Sequence, residues 1–246
     1  MFFLLELLYH GHQIIAVSKP VGLLSQPSQQ TAETVVSATL ALLAKQGQAQ
    51  RELLLVHRLD RDTSGVLVMA TSKARAAYLA AEFRAHRVHK TYIALCQGMS
   101  TRPEFIEQAP LARFDPHTGK VSVDHRVGRS AQTAVRVLAE DAAHGVSLVL
   151  CRPTTGRTHQ IRVHLAMNGL PLVGDQLYGD KSRAACTRYP SAVPMHHLLH
   201  AHSLSFMPAP NQPALSLEAP LQPAFATFLT NIGLAPAFAK RGDGWK

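Results

Sequence analysis

Within nine residues the chain concentrates two acids, two arginines, a histidine and two hydroxyls: His57-Arg58-Leu59-Asp60-Arg61-Asp62-Thr63-Ser64-Gly65. A loop built only to reverse direction needs a glycine or asparagine and little else. Asp60 has four chemical readings: nucleophile, general base, metal ligand, or structural cap for the Thr63 and Ser64 amides. Capping is the commonest fate of a loop aspartate. A nucleophile would need an ionised carboxylate in a half-buried site. Burial alone raises a carboxyl pKa, and an adjacent guanidinium opposes that. Arg162 is a candidate guanidinium: it lies near the start of an expected helix at 159–168, whose end is electropositive. A cation there calls for a negative partner. Asp60 is one candidate, and a surface salt bridge elsewhere is the other reading.

The flanks suit a rigid mount. Leu53-Leu54-Leu55-Val56 and Val66-Leu67-Val68-Met69-Ala70 read as short buried strands on either side of the polar loop. Residues 3–9 and 14–17 read as a hairpin turning at His10-Gly11-His12, and Pro20 with Gly22 ends its second strand. Lys19 there reads equally as a surface charge or as a residue near the site. Residues 31–45 carry a helical apolar stripe with Thr31 as N-cap. Ser72 caps a second helix with Ala76, Leu79, Ala80 and Phe83 on one face. Its exit is basic, with Arg84, Arg87 and Lys90 before Tyr92. Residues 90–97 alternate as a strand, with Tyr92, Ala94 and Cys96 on one face and Ile93 and Leu95 on the other. Residues 99–130 read as a loop excursion with short strands. Residues 131–139 and 146–150 pair as a hairpin. In the 159–168 helix, Thr158 is the expected N-cap, Gly169 the C-terminal stop, and His159 shares a face with Arg162. Residues 180–194 read as a surface loop, and Leu221–Asn231 as a last amphipathic helix.

Composition narrows the partner. The 246 residues hold 25 Lys plus Arg against 16 Asp plus Glu, a formal charge of +9, which favours a polyanion such as nucleic acid. Hydrophobic residues make up 46%, enough for a buried core. Cys96, Cys151 and Cys186 lack paired metal spacing, consistent with reduced thiols in a cytoplasmic protein. The apolar start carries Glu6 and reads as a strand rather than a leader, and no run reaches membrane-span length. His196, His197, His200 and His202 admit a metal reading, but alternate packed or solvated strand histidines are the favoured one. No phosphate-binding glycine loop or dinucleotide fingerprint is present.

Six motifs in order resemble the RluA-type RNA pseudouridine synthases. They are Ser18-Lys19-Pro20-Val21-Gly22-Leu23, His57-Arg58-Leu59-Asp60 with Thr63-Ser64-Gly65, Lys90-Thr91-Tyr92, Gly156-Arg157-Thr158-His159-Gln160-Ile161-Arg162-Val163-His164, Gly174-Asp175-Gln176-Leu177-Tyr178-Gly179 and Leu199-His200-Ala201. The resemblance implies an α+β fold: a mixed, mostly antiparallel central sheet flanked by helices, with a catalytic cleft across its middle. It implies one catalytic domain over 1–235, followed by a basic tail at 236–246 and with no S4-like RNA-binding module. It implies that Asp60, Tyr92 and Arg162 are catalytic: Asp60 attacks the target uridine at C1′ or at the base, Tyr92 stacks on the base, and Arg162 pairs with Asp60. Arg58 resembles the arginine that fills the helix stack when the uridine is flipped out. Arg84, Arg87 and Lys90 are expected at RNA phosphates; Arg157, His159 and Gln160 orient the loop or touch phosphate. The isomerisation needs no cofactor and no metal. The expected partner is structured RNA, ribosomal or transfer, with the protein a monomer. Ser25-Gln26-Pro27 departs from the His-Pro often found there, which removes a histidine from that position. The competing readings are an RNA-binding protein without catalysis on the same fold, and a metal-dependent hydrolase using the histidine-rich segment with Asp60 or Asp62.

Overall fold

The apolar run after the polar loop forms β4 (Ser64–Ala70), every residue of which is buried. Such a strand must be covered on both faces and paired on both edges. The computed structural model of the chain describes residues 5–27, 33–179 and 195–239. It divides into two compact units, Met1–Thr91 with His200–Pro220, and Tyr92–Leu199 with Leu221–Lys246. The expected surface loop at 180–194, most of the basic tail, Cys186 and the proposed cap Thr31 lie outside the described residues.

In the first unit, β1 (Glu6–Gly11) and β2 (Ile14–Lys19) form the expected hairpin. Its turn falls at His12 and Gln13, both with positive φ, rather than at His10-Gly11-His12. The left-handed pair gives the twist that a two-residue hairpin requires. β2 pairs antiparallel with β4 over six residues. β3 is only Leu54–Leu55, much shorter than the expected strand, and also pairs with β4. On its other side β4 meets β9 (Leu199–Phe206) in parallel, through Ser64 with His200 and Gly65 with Ala201. β10 (Leu215–Glu218) pairs antiparallel with β9.

Two helices cover this unit. α1 (Val35–Lys45) is capped by Thr34 rather than Thr31, with Ser37 completing a reciprocal capping box. α2 (Lys73–Arg84) starts at Ser72 as expected, the hydroxyl accepting from the Arg75 N–H. Its Leu79 packs with Ile14, Ala16, Val66, Val68 and Phe206.

The second unit strings β5 (His89–Gln97), β8 (Val146–Pro153), β7 (Thr133–Asp141) and β6 (Glu104–Glu107) antiparallel in that order. The alternation read along β5 holds. Ile93 and Leu95 share a core with Phe225, Phe228 and Leu229 of α4 (Pro223–Asn231), the expected last helix. Ala94 and Cys96 share another with Ile161 and Leu165 of α3 (Gln160–Met167), and Tyr92 packs against it. A short α5 (Ala235–Ala239) takes in the first residues of the expected tail. The class is therefore α+β with mostly antiparallel strands and flanking helices, as expected.

Gly65 lies directly against the backbone of its parallel partner strand. Its φ is +114°, and a Cβ there would lie 2.1 Å from the Ala201 carbonyl oxygen. Neither the backbone angle nor the parallel neighbour leaves room for a side chain. Gly65→Ala is expected to cost more than about 3 kcal/mol, as strained backbone substitutions in cores do. Thermal unfolding should show a large drop or no folded protein, and an unchanged midpoint would contradict this packing.

Candidate active site

Both neighbours of Asp60 are pinned by side chains. The Ser25 hydroxyl donates to the Leu59 carbonyl at 2.8 Å and accepts from the Leu59 N–H at 3.1 Å. On the other side, the Arg61 carbonyl receives the Lys19 ammonium at 2.7 Å and the Gly22 N–H at 3.0 Å. The backbone carbonyl of Asp60 takes the Thr63 N–H at 3.1 Å, so the turn closes through the main chain. Asp62 is engaged by the Arg61 guanidinium through two bonds of 2.9 Å. Asp60 is half-buried, and Arg58 is exposed.

Lys19 is fully buried, so the surface reading of this residue is wrong. Its amine also donates to the Pro20 carbonyl at 2.8 Å. Burial pulls its pKa down to about 7, against the opposing pull of the Asp62 and Asp60 carboxylates. Ser25 stands out in the sequence only as a departure from the family pattern. A serine in an apolar stretch gives no sign of which backbone it will hold.

His57 sits at the start of the loop and accepts the Val68 N–H on Nε2 at 2.9 Å. Its ring stacks on Phe83 of α2, with centroids 4.7 Å apart. An acceptor Nε2 makes this imidazole neutral, with its proton on Nδ1. Burial, with the Lys90 charge adding to it, depresses the pKa to about 3.

In the second unit, Arg162 is buried on α3 and Asp175 holds it: Nε to Oδ2 at 2.7 Å and Nη2 to Oδ1 at 2.8 Å. The guanidinium also lies over the Tyr178 ring, 5.0 Å from its centroid. Asp175 further accepts the Leu177 and Tyr178 N–H groups. Burial would raise the Asp175 pKa, but Arg162 and these amides together hold it below the usual carboxylate range. From the sequence, Asp60 is the named candidate partner for Arg162, with a salt bridge elsewhere as the other reading. Asp175 belongs to one of the six motifs, yet its thirteen-residue separation from Arg162 follows no local rule that would join them.

The other expected residues separate by environment. Tyr92 is half-buried near the start of β5. Arg84 is exposed and Lys90 half-buried. Arg87 is exposed, but its Nε and Nη2 are committed to the buried Glu82. Arg157 donates from Nε to the Ser130 carbonyl at 3.0 Å. His159 caps α3 with a left-handed φ of 55°, where Thr158 was expected. Its Nδ1 lies 2.8 Å from the Tyr178 hydroxyl. Gln160 requires a correction to the phosphate-binding reading. It is buried; Oε1 accepts from the Thr155 hydroxyl and the Arg157 N–H, and Nε2 donates to the Gln132 carbonyl and the Thr133 hydroxyl. A saturated, buried amide orients the loop and has nothing left for RNA.

The RNA pseudouridylate synthase profile matches residues 13–167, which include Asp60, Tyr92 and Arg162. The chain belongs to this family. The synthase is 35% identical over 217 residues to the dual-specificity RNA pseudouridine synthase RluA of Escherichia coli K12, covering 88% of this chain and 93% of the relative. It is 34% identical to the ribosomal large subunit pseudouridine synthase D of Zymomonas mobilis, over 82% of this chain and 65% of that longer protein. In structure it resembles human RNA pseudouridylate synthase domain containing 4, with a TM-score of 0.74, 26% identity and 93% of each chain covered. The protein is therefore an isomerase acting on RNA.

The histidine-rich segment of the synthase is packed rather than gathered. His200 is fully buried, with Nδ1 2.9 Å from the Ser64 hydroxyl and Nε2 3.1 Å from the Ala219 carbonyl. Among the described residues, no three His, Cys, Asp or Glu side chains could hold a metal ion together. No described helix is long and apolar enough to cross a membrane.

The His57 pKa gives the fold an acid sensitivity. Folded His57 stays neutral to about pH 3, while an unfolded histidine titrates near 6.5. Between those values the unfolded chain binds the extra proton, so His57's contribution to stability is lost as pH falls from about 6.5 toward 3. His57→Gln keeps an acceptor for the Val68 N–H but cannot titrate. The variant's melting temperature should fall less steeply than wild type's between pH 6.5 and 4, and parallel curves would contradict this assignment.

Proposed function

We propose that this synthase converts specific uridines of structured RNA, in ribosomal or transfer RNA stem-loops, to pseudouridine by base flipping and Asp60-dependent chemistry. Asp60 attacks the uridine, the C1′–N1 bond breaks, the uracil rotates and a C1′–C5 bond forms; the carboxylate is released, the C5 proton is removed, and N1 takes up one proton in its place. The product is an isomer of the substrate, so no oxidant, hydrolytic water or cofactor enters the balance. Tyr92 is assigned to stacking on the base and to assisting proton removal, and Arg162 to orienting the catalytic carboxylate. Arg58 is assigned to the space that the flipped uridine leaves. Extrusion costs roughly a few kcal/mol of stacking, and a planar guanidinium offsets part of it.

The observation that carries this reading is the pinning of Asp60 between Leu59 and Arg61, each fixed by a buried side chain. That mount fixes the direction in which the main chain presents the Asp60 carboxylate. Arg58, exposed two residues before, has the freedom an inserting residue requires. The names of relatives support a ribosomal target and, for one of them, more than one substrate. The proposed setting is a cytoplasmic monomer with one catalytic domain over residues 1–235.

Pseudouridine mapping by carbodiimide labelling and reverse-transcription stops tests the assignment. A deletion strain would be compared with strains carrying wild type or Asp60→Asn. Wild type is expected to restore a missing site and Asp60→Asn to restore none, with activity reduced at least 100-fold, on the order expected for loss of a covalent catalyst. Restoration by Asp60→Asn would remove Asp60 from the chemistry. Deletion without loss of any site would favour RNA binding without catalysis.

A further inference from the structure

Residues 110–130 form a hairpin that the proposed mechanism does not use. Leu111 bridges both Val123 and Arg129, and Asp115 bridges Lys120. Leu111, Val121 and Ala131 pack with Val163 of α3, and Tyr178 packs against them. The Val121 N–H donates to the Tyr178 hydroxyl at 2.6 Å. The hairpin is thus rooted on the helix that carries Arg162.

Its charges are sorted. Asp115 accepts the His117 N–H and the Thr118 hydroxyl. Asp124 accepts the Arg126 and Val127 N–H groups. Both acids are occupied in closing turns. Arg113, Lys120, Arg126 and Arg129 are exposed. A stiff, basic projection already holding its shape loses little entropy on meeting a phosphate chain.

The same hairpin carries Phe114, 46% exposed. Its ring meets His159 edge-on, with centroids 5.7 Å apart at 89°. His159 in turn meets Tyr178 at 5.6 Å and 79°, and Tyr178 lies under the Arg162 guanidinium. A line of rings therefore leads from the buried arginine to the surface. A left-handed, non-glycine His159 at the middle of that line is a backbone conformation typical of functional sites.

A lone exposed phenylalanine is ordinary on a protein surface. One fixed against a ring array, on a hairpin that carries four exposed cations, matches a particular partner: a nucleobase flanked by phosphates. The base must be unpaired, because an RNA duplex hides its base faces within the stack.

We propose that Phe114, carried on the basic 110–130 hairpin, is the stacking platform for an unpaired nucleobase of the RNA substrate, with Arg113, Lys120 and Arg129 on the neighbouring phosphates. This rests on RNA being the substrate, and adds that an unpaired nucleotide outside the target uridine is read. Stacking is sequence-tolerant, so the platform selects for loop over stem rather than for one base.

Fluorescence anisotropy with a labelled short oligouridylate and with a blunt RNA duplex tests it, using the full chain. Phe114→Ala should weaken oligouridylate binding about 5- to 100-fold, the range for loss of one base stack, and duplex binding less than about 2-fold. Phe114→Trp should restore affinity and Phe114→Leu should not, since a leucine is apolar without a π-face. Replacing Arg113 and Lys120 with Gln should lower the salt slope by roughly 0.7 for each phosphate no longer neutralised. The proposal fails if Phe114→Ala binds oligouridylate like wild type, if both probes weaken equally, if Leu restores as well as Trp, or if wild type does not bind oligouridylate. Pseudouridine mapping with Asp60→Asn fails or succeeds separately: loss of the isomerase assignment would leave the binding ratios intact, and normal binding by Phe114→Ala would leave the isomerase assignment intact.

Discussion

The loop that carries Asp60 depends on backbone groups held from both sides by buried side chains. The Ser25 hydroxyl takes both backbone groups of Leu59, and Lys19 with the Gly22 N–H takes the carbonyl of Arg61. The backbone of the residue between them is oriented from both sides. Burying the Lys19 ammonium is costly, as its depressed pKa reports. Two carbonyls and two nearby acids offset that cost.

The rest of the first unit follows from keeping that loop still. β4 is buried along its length and begins within the loop motif itself. Gly65 lets the parallel partner β9 approach at van der Waals limits, and the Ser64–His200 hydrogen bond adds a polar tie at the same register. His57 closes the loop's other end onto Val68 of β4 and Phe83 of α2. The motif residues that are not assigned to chemistry thus have a mechanical account.

The second unit solves an analogous problem for a cation. Arg162 would be unfavourable in the first turn of α3, where the helix end is already positive. Asp175 neutralises it bidentately, and Gln160 braces the same turn through four hydrogen bonds: two to the preceding loop, one to Thr133 of β7 and one to Gln132 just before it. The guanidinium is therefore held as a rigid planar group rather than as a mobile surface charge.

Period and punctuation alone determined most of the elements. The two faces of β5 were readable because alternation is a property of the strand itself. Ser72 was readable as a cap because a cap acts within three residues, and Gly169, with φ of 72°, ends α3 for a similarly local reason. Asp60, Tyr92 and Arg162 were readable as candidates because six motifs occur in order. Tertiary structure alone decided the partners: Asp175 for Arg162, Ser25 for Leu59, Lys19 for Arg61, and the saturation that leaves Gln160 with loop orientation, the first of its two readings. It also shifted the caps to Thr34 and His159 and shortened β3 to two residues. Each of these depends on which distant backbone or side chain arrives within about 3 Å. A sequence states which groups are able to bond, but the fold determines which of them meet.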